Sequence, residues 1–218
     1  MQAEFHDIDQ NTDEWLGLRA GRVTSSSLAK IMANYGKAFG EPAKAYAHQI
    51  AVEQLTGKPC GGGYSNDHMQ RGHEEEPVAR MLYEYELFCD VDNGGFFAGD
   101  GFGCSPDGLI GTDGVLELKS ATPSVHAKRI KANKVDSAYR WQVSGNLLFT
   151  GRDWLDFVSF CSGFPEGKRL FVKRIRAVEL QEDFEMIRSR LKEFKVLIDQ
   201  SRDLIQGANY INIKSEAA

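Results

Sequence analysis

The 218 residues, 42% of them hydrophobic, suffice for one domain with a sizeable core, which argues against a disordered chain. Cys60, Cys89, Cys104 and Cys161 are widely spaced with no Cys-x-x-Cys pair, and no His pair has ligand spacing, so neither a zinc site nor a disulfide framework is favoured. A net charge of -5 does not advertise a nucleic-acid binder, yet residues 119–176 hold 12 Lys and Arg against 4 Asp and Glu, a net of +8 that leaves -13 for the remainder. That segregation suits a basic channel tracking phosphates, or else a solvated basic face. The first residues lack a basic-then-apolar signal and no apolar run approaches membrane-spanning length, so a soluble, cytoplasmic protein without a membrane partner is expected.

Residues 14–18 read as a short helix, and Thr24 or Ser25 caps a second to about residue 33. Hydroxyls of Ser25 and Ser26 at that cap, with Arg19 just before it, make an anion site; the simpler reading is an N-cap beside a surface Arg. Gly36 and Gly40 mark a loop, Pro42 opens a helix to Thr56, and Gly57 ends it. The run Lys58-Pro59-Cys60-Gly61-Gly62-Gly63 is a flexible connection; no Gly-Lys-Ser/Thr follows to make it a phosphate loop. The next helix carries Val78, Met81, Leu82 and Tyr85 as an apolar stripe after Glu74-Glu75-Glu76-Pro77, with Pro77 in its first turn. Extended backwards, that spacing turns Glu75 inwards.

Residues 88–104 contribute one or two strands. Ser124 caps a helix to about residue 131, whose Lys128, Arg129 and Lys131, with Lys134, can contact a phosphate backbone; His126 beside them reads as surface or phosphate-proximal rather than catalytic. A helix over 137–149 carries Gln142 and stops at Gly151. Strands follow at 154–161 and 170–176. A long amphipathic helix from 181 to about 205 then places Phe184, Ile187, Leu191, Phe194 and Ile198 on one packing face. The order predicts one α/β domain over residues 1–218, a central mixed β-sheet flanked by helices, with residues 119–176 facing DNA.

The stretch from Cys104 to Lys119 organises the rest. Apolar residues on both sides of Thr112-Asp113-Gly114 predict a β-hairpin, Asp-Gly supplying the positive φ of its turn. In its second strand Glu117 and Lys119 share one face, about 7 Å apart at Cα, opposite Leu116 and Leu118. Asp107, where the first strand begins, can fold back beside Glu117. Two carboxylates with one lysine suit a hard divalent cation such as magnesium, which takes oxygen ligands plus substrate phosphate oxygens. A lysine beside metal-bound water completes a set suited to phosphodiester hydrolysis.

Ser105-Pro106-Asp107-Gly108 followed by Leu116-Glu117-Leu118-Lys119 resembles the active-site signature of the lambda exonuclease family, within the P-D-(D/E)-x-K nuclease superfamily. Trp15, Leu18-Arg19 and Val23-Thr24-Ser25-Ser26 resemble its amino-terminal motif. Gly72 with Glu76, and Ala138-Tyr139 with Gln142-Val143, resemble its remaining blocks. The resemblance implies a restriction-endonuclease-like core and an Mg2+-dependent exonuclease, with two ions per site and Mn2+ able to substitute. It would digest one strand of linear double-stranded DNA from the 5′ end to mononucleotides, leaving 3′ overhangs for recombination.

By the same resemblance Asp107, Glu117 and the Leu118 carbonyl bind metal, and Glu76, not Glu75, supports the second ion or its waters. Lys119 positions the attacking water, while Arg19, Ser26, Ser105 and Gln142 hold the 5′-phosphate. The family also implies a ring-shaped homotrimer and a single-strand annealing partner. An endonuclease of the same superfamily, or a catalytically silent DNA-end binding subunit, are the alternatives.

Overall fold

The computed structural model describes residues 1, 3–60 and 67–208, without the side chains of 67–70 and 73. The glycine run 61–63, the tail from Asn209 and the side chains of His68 and His73 lie outside the described residues. Strand β1 (Glu4–His6) precedes α1 (Asp13–Arg19), which opens where the Thr12 hydroxyl accepts the Trp15 N–H at 3.2 Å. After β2 (Val23–Thr24), Ser25–Ser27 forms a single 3-10 turn before the short α2 (Leu28–Met32), so the expected second helix is reduced to about half its length. In α3 (Glu41–Thr56) Pro42 sits in the first turn and Gly57 closes the helix at φ 66°, as its sequence predicts.

Next come α4 (Asp67–Leu87), β3 (Phe96–Ala98), β4 (Phe102–Cys104), β5 (Gly108–Ile110) and β6 (Gly114–Ser120). Then follow α5 (Pro123–Ala132), a 3-10 turn Ser137–Tyr139, α6 (Arg140–Thr150), β7 (Trp154–Phe160), β8 (Leu170–Arg176) and α7 (Gln181–Gly207). Among the described residues no helix is long and apolar enough to cross a membrane.

The single central sheet expected from the sequence is two four-stranded sheets, ordered β1-β3-β4-β2 and β5-β6-β7-β8, each mixed. They part at Ser105-Pro106-Asp107, where proline offers no N–H to continue a ladder. The chain folds tightly there: a Cβ on Gly94 would stand 1.8 Å from the Pro106 carbonyl oxygen, so only glycine fits. The hairpin turn also lies one residue earlier than expected. Ile110 pairs with Gly114, and the positive φ, 53°, falls on Gly111 rather than on the Asp-Gly pair.

Strand β6 runs parallel to β7, with α5 and α6 in the crossover between them. Its pleat separates two layers of core. Leu116 and Leu118, with Val158 and Phe160, pack against Ala79 and Tyr83 of α4. Val115, Leu155 and Phe157 face the larger core with Leu147 of α6 and Phe184, Ile187 and Phe194 of α7.

Two readings of α4 are corrected. Pro77 lies inside the helix, not in its first turn, and Val78, Met81 and Tyr85 are exposed. The buried face carries Ala79, small enough for close approach to the sheet, and Tyr83, whose hydroxyl donates to Asp156 at 2.6 Å. Asp156 in turn accepts two bonds from Arg174, both at 2.8 Å, so a polar network replaces the expected apolar stripe.

Asp183 fastens the start of α7 to α6, accepting from Arg140 Nε at 3.0 Å and the Ser144 hydroxyl at 2.7 Å. Burial raises its pKa, but the Arg140 and Ser144 bonds outweigh that and hold it below the ordinary aspartate value. A depressed carboxylate stabilises the fold above its unfolded pKa and loses that contribution as pH falls through the folded one. Asp183→Asn should therefore cost about 1–3 kcal/mol at neutral pH, with the deficit shrinking on acidification, as urea titrations at pH 7 and pH 3 would show.

Candidate active site

The site forms where one strand outruns its neighbour. Pairing of β5 with β6 stops at Gly108 and Leu116, and the Asp107 N–H donates to the Leu116 carbonyl at 3.1 Å. Among the described residues the β6 edge lacks a partner strand beyond that point, and the Asp107 carboxylate takes its place by accepting the Leu118 N–H at 2.6 Å. Within a strand the N–H and C=O of one residue point the same way, so the Leu118 carbonyl shares this edge with Asp107.

The pleat turns Glu117 and Lys119 towards α6. Glu117 is wholly buried, and its carboxylate pairs with the Lys119 ammonium while accepting from Gln142 Nε2 at 2.5 Å and Asn146 Nδ2 at 2.7 Å. Gln142 and Asn146 are one helical turn apart on α6 and so reach the same carboxylate. Gly145, between them, lets the 25–28 segment close on the helix: a Cβ there would meet Leu28 Cδ1 at 2.4 Å. Asn146 did not figure in the sequence reading, although its i+4 spacing from Gln142 carried the signal.

Glu75 and Glu76 separate cleanly. Glu75 accepts from the Ser120 hydroxyl and from Ser162 at 2.5 Å, and lies 4.0 Å from Arg71. Glu76 instead feels Asp107, Lys119 and Arg80. Helical spacing does not choose between them, since both line the cleft beside Ala79 and Leu118; their partners do.

Electrostatics show what this cluster lacks. Burial first, and then Asp107, push Glu76 up to about 7 against the pull of Lys119 and Arg80. Burial likewise lifts Glu117 to about 7, opposed by Lys119 and reinforced by Asp107. Asp107 is also raised by burial, while Lys119, held between Glu117 and Asp107, binds its proton more tightly than an ordinary lysine despite its burial. Three acidic groups thus share one partly buried place with Lys119, and positive charge is in deficit.

A divalent cation fits that deficit, and oxygen donors from Asp107, Glu117 and the Leu118 carbonyl have the hardness magnesium prefers. Among the described residues no three His, Cys, Asp or Glu side chains already stand together as a metal-ligand set. Lys119, Gln142 and Asn146 occupy the Glu117 oxygens where such a set would form.

A pH response follows. An acid whose folded pKa is raised contributes stability below its unfolded pKa and loses it as pH rises through the folded one. For Glu76 and Glu117 that window runs from about 4.5 to about 7. Chelator-treated protein should therefore lose on the order of 2–3 kcal/mol between pH 5 and pH 8. Magnesium, binding the ionised carboxylates, should restore the loss at the alkaline end. Melting curves with chelator and with magnesium check both; a metal-free protein that grows more stable from pH 5 to 8 would refute the argument.

Of the residues expected around a 5′-phosphate, Arg19 and Ser105 are joined through Trp15, while Ser26 and Gln142 each bond elsewhere. Arg19 ends α1 with its guanidinium 4.1 Å from the Trp15 ring centroid, and Trp15 Nε1 donates to the Ser105 hydroxyl at 2.9 Å. Burial lowers the Arg19 pKa while Tyr46 and Glu53 oppose it. Ser105 donates its own proton to the Gly95 carbonyl at 2.7 Å, so in this arrangement it fastens the segment after β4 to the one before β3 rather than offering a donor to an anion. Ser26 is exposed and lies 3.2 Å from the Thr24 hydroxyl, whereas Gln142 spends one N–H on Glu117.

The basic run divides as well. Lys128, Lys131 and Lys134 are exposed, but Arg129 is buried, bonding Ser159 at 3.0 Å and the Tyr139 hydroxyl at 3.3 Å, and cannot be a surface contact. His126, expected at the surface, is also buried, between the Ser159 hydroxyl and the Lys168 carbonyl at 2.9 Å each. An inward-facing serine on β7 gives both residues a partner.

Asp107 at the open edge of β6, with Glu117 and Lys119 on the adjoining face, is a constellation suited to phosphodiester hydrolysis, and comparison with known proteins places the chain among DNA nucleases. The chain belongs to the YqaJ-like viral recombinase domain family, whose sequence model matches residues 14–153. It is similar to an alkaline exonuclease, LHK-Exo from Laribacter hongkongensis, at 32% identity and a TM-score of 0.74, over 90% of this chain and 100% of that one. The same enzyme in complex with dAMP matches at 32% identity and a TM-score of 0.75, with the same coverage. A phage-related exonuclease from Haemophilus somnus 129PT shares the fold, at 19% identity and a TM-score of 0.62, over 85% of this chain and 95% of that one. No curated protein matches the chain.

Proposed function

We propose that this protein digests one strand of linear double-stranded DNA from its 5′ end with magnesium, releasing 5′-mononucleotides and leaving a 3′ overhang for recombination. The observation that carries the reading is the gathering of Asp107, Glu117, Lys119 and Glu76 about the open edge of β6. Asp107, Glu117 and the Leu118 carbonyl would hold the cation, with Glu76 supporting a second ion or its water. Bound there, the metal would supply a more acidic water and stabilise the charge that grows on phosphorus.

The protein's own groups do the rest. Lys119, fixed by Glu117, orients the attacking water, and Gln142 and Asn146 keep the Glu117 carboxylate from turning away. Arg19, braced on Trp15, offers a cation to a terminal phosphate, which favours attack at ends over attack within a strand. The dAMP bound by LHK-Exo is of the chemical class this reaction would release. The 3′ overhang is what a single-strand annealing protein would take up.

The deciding experiment incubates 5′-labelled linear duplex, 3′-labelled linear duplex and closed circles with the protein, in magnesium and in chelator. Early release of 5′ label with intact circles, abolished by chelator, is the expected result. Cleavage of circles would turn the reading to an endonuclease, and tight binding without nucleotide release to an end-binding subunit.

A further inference from the structure

The second sheet ends in a strand with one side open. Its order, β5-β6-β7-β8, leaves β8 at the margin, and at seven residues β8 is long enough to template a neighbour. The Cys161 N–H donates to the Arg169 carbonyl at 3.0 Å and the Ala177 N–H to the Asp153 carbonyl at 2.8 Å, which fixes the phase of the ladder between them. In an antiparallel pair each residue turns both its backbone groups to one side, and the side alternates along the strand. Phe171, Lys173 and Ile175 therefore bond to β7, whereas Leu170, Val172, Arg174 and Arg176 direct their N–H and C=O groups to the open side. Among the described residues no strand pairs there.

The side chains of β8 are as incompletely used as its backbone. Leu170, Phe171, Val172 and Ile175 all stay partly exposed, whereas every residue of β7 after Trp154 is buried. A cleft also adjoins the strand on each face of the sheet. On the α4 face about 210 Å³ opens between Leu82 and Leu87 of α4 and Leu170 and Val172 of β8. On the opposite face about 660 Å³ opens beside Ile175, with Val125 and Val143 on its walls and Lys128 at its rim. The side chains of a strand laid along β8 would alternate between these two faces.

Charge selects the occupant. From Lys168 to Arg176 the chain carries five cations, at 168, 169, 173, 174 and 176, and no carboxylate. Like charge keeps the β8 edges of two copies apart and favours an acidic strand in their place. A phosphate backbone is acidic too, but it offers only acceptors, and the open row presents carbonyl oxygens as well as N–H donors.

We infer that an extended acidic segment of another protein adds to β8 as a fifth strand of this sheet, its apolar side chains entering the two clefts and its carboxylates meeting Lys173 and Arg176. Main-chain bonds to a sheet edge supply affinity in such recognition, and the side-chain pockets on either face supply specificity. The inference uses none of the groups assigned to hydrolysis and stands apart from the reading of the active site.

The test follows amide exchange by NMR on the full chain, alone and with a synthetic ten-residue peptide that repeats two valines and two glutamates, which places both kinds of side chain on each face. In the protein alone the amides of Phe171, Lys173 and Ile175 should exchange slowly and those of Leu170, Val172, Arg174 and Arg176 fast. The peptide should slow the fast set by at least about tenfold. Val172→Pro removes an outward N–H where proline spares the ladder to β7, and should weaken the peptide about tenfold. Arg176→Glu, at an exposed position, should weaken it by about as much and abolish most of its salt dependence. The same peptide with every backbone nitrogen methylated should not bind. Outward amides already slow in the protein alone would overturn the proposal by assigning the edge to another part of this chain. No binding of the peptide at millimolar concentration, or equal binding of its methylated form, would overturn it as well. A duplex oligonucleotide that protects these amides while the peptide does not would assign the edge to nucleic acid instead.

Discussion

Asp107→Asn is expected to slow hydrolysis of linear duplex DNA by at least about a thousandfold while raising the melting temperature of the metal-free protein. Both effects come from one charge. Asp107 accepts the Leu118 N–H at 2.6 Å, a bond the asparagine oxygen can keep, so the β6 edge retains its geometry. What disappears is a carboxylate that raises the pKa of both Glu76 and Glu117. Relief of that repulsion should stabilise the variant by about 1 kcal/mol above pH 7, or roughly 2–4 °C for a chain of this size. In magnesium the order should reverse, since the parent protein gains binding energy that the variant has lost. Calorimetry with and without magnesium, beside a nuclease assay, reads all three. Turnover within tenfold of the parent, or a lower melting temperature without metal, would show that Asp107 neither holds a cation nor crowds its neighbours.

The parts of the site that a strand's period exposes were legible from residues alone. Glu117 and Lys119 sit two apart on a pleat, and β6 does turn both the same way, with Leu116 and Leu118 on the other. Helix α4 was harder, because hydropathy points outwards there. Met81 and Tyr85 carry more apolar surface than Ala79, but Ala79 is what allows the helix down onto the sheet, and Tyr83 is buried through a bond to Asp156 that sequence cannot reveal. The same blindness to distant partners hid Arg129 and His126, whose burial depends on Ser159 about thirty residues further along. The division into two sheets had a local signal in Pro106, but the close approach of Gly94 to the Pro106 carbonyl joins residues that no local pattern pairs. Asn146 was overlooked for a different reason: its partner is the very carboxylate assigned to metal, and its own spacing from Gln142 was sufficient to find it.

Lys119→Met should also cripple turnover, by about 100- to 10,000-fold, yet move stability the other way. Glu117 is wholly buried and Lys119 is its cationic partner, so truncating the lysine strands a charge in the interior. Breaking a buried pair by removing one member costs about 3–5 kcal/mol, far more than an exposed pair is worth. The size of the loss must depend on pH, because Glu117 has an escape: burial already lifts its pKa to about 7, and without the ammonium it rises further. Below that value the carboxyl accepts a proton and remains bonded to Gln142 and Asn146, so the variant's deficit should be largest near pH 8 and mostly gone by pH 5.5. The double variant Glu117→Gln with Lys119→Met removes the stranded charge altogether and should recover stability at pH 8 while remaining inactive, a coupling that a double-mutant cycle measures directly. Equal destabilisation at pH 8 and pH 5.5 would mean that Lys119 supports the fold by packing and not by its charge, and an active Lys119→Met would remove it from the chemistry.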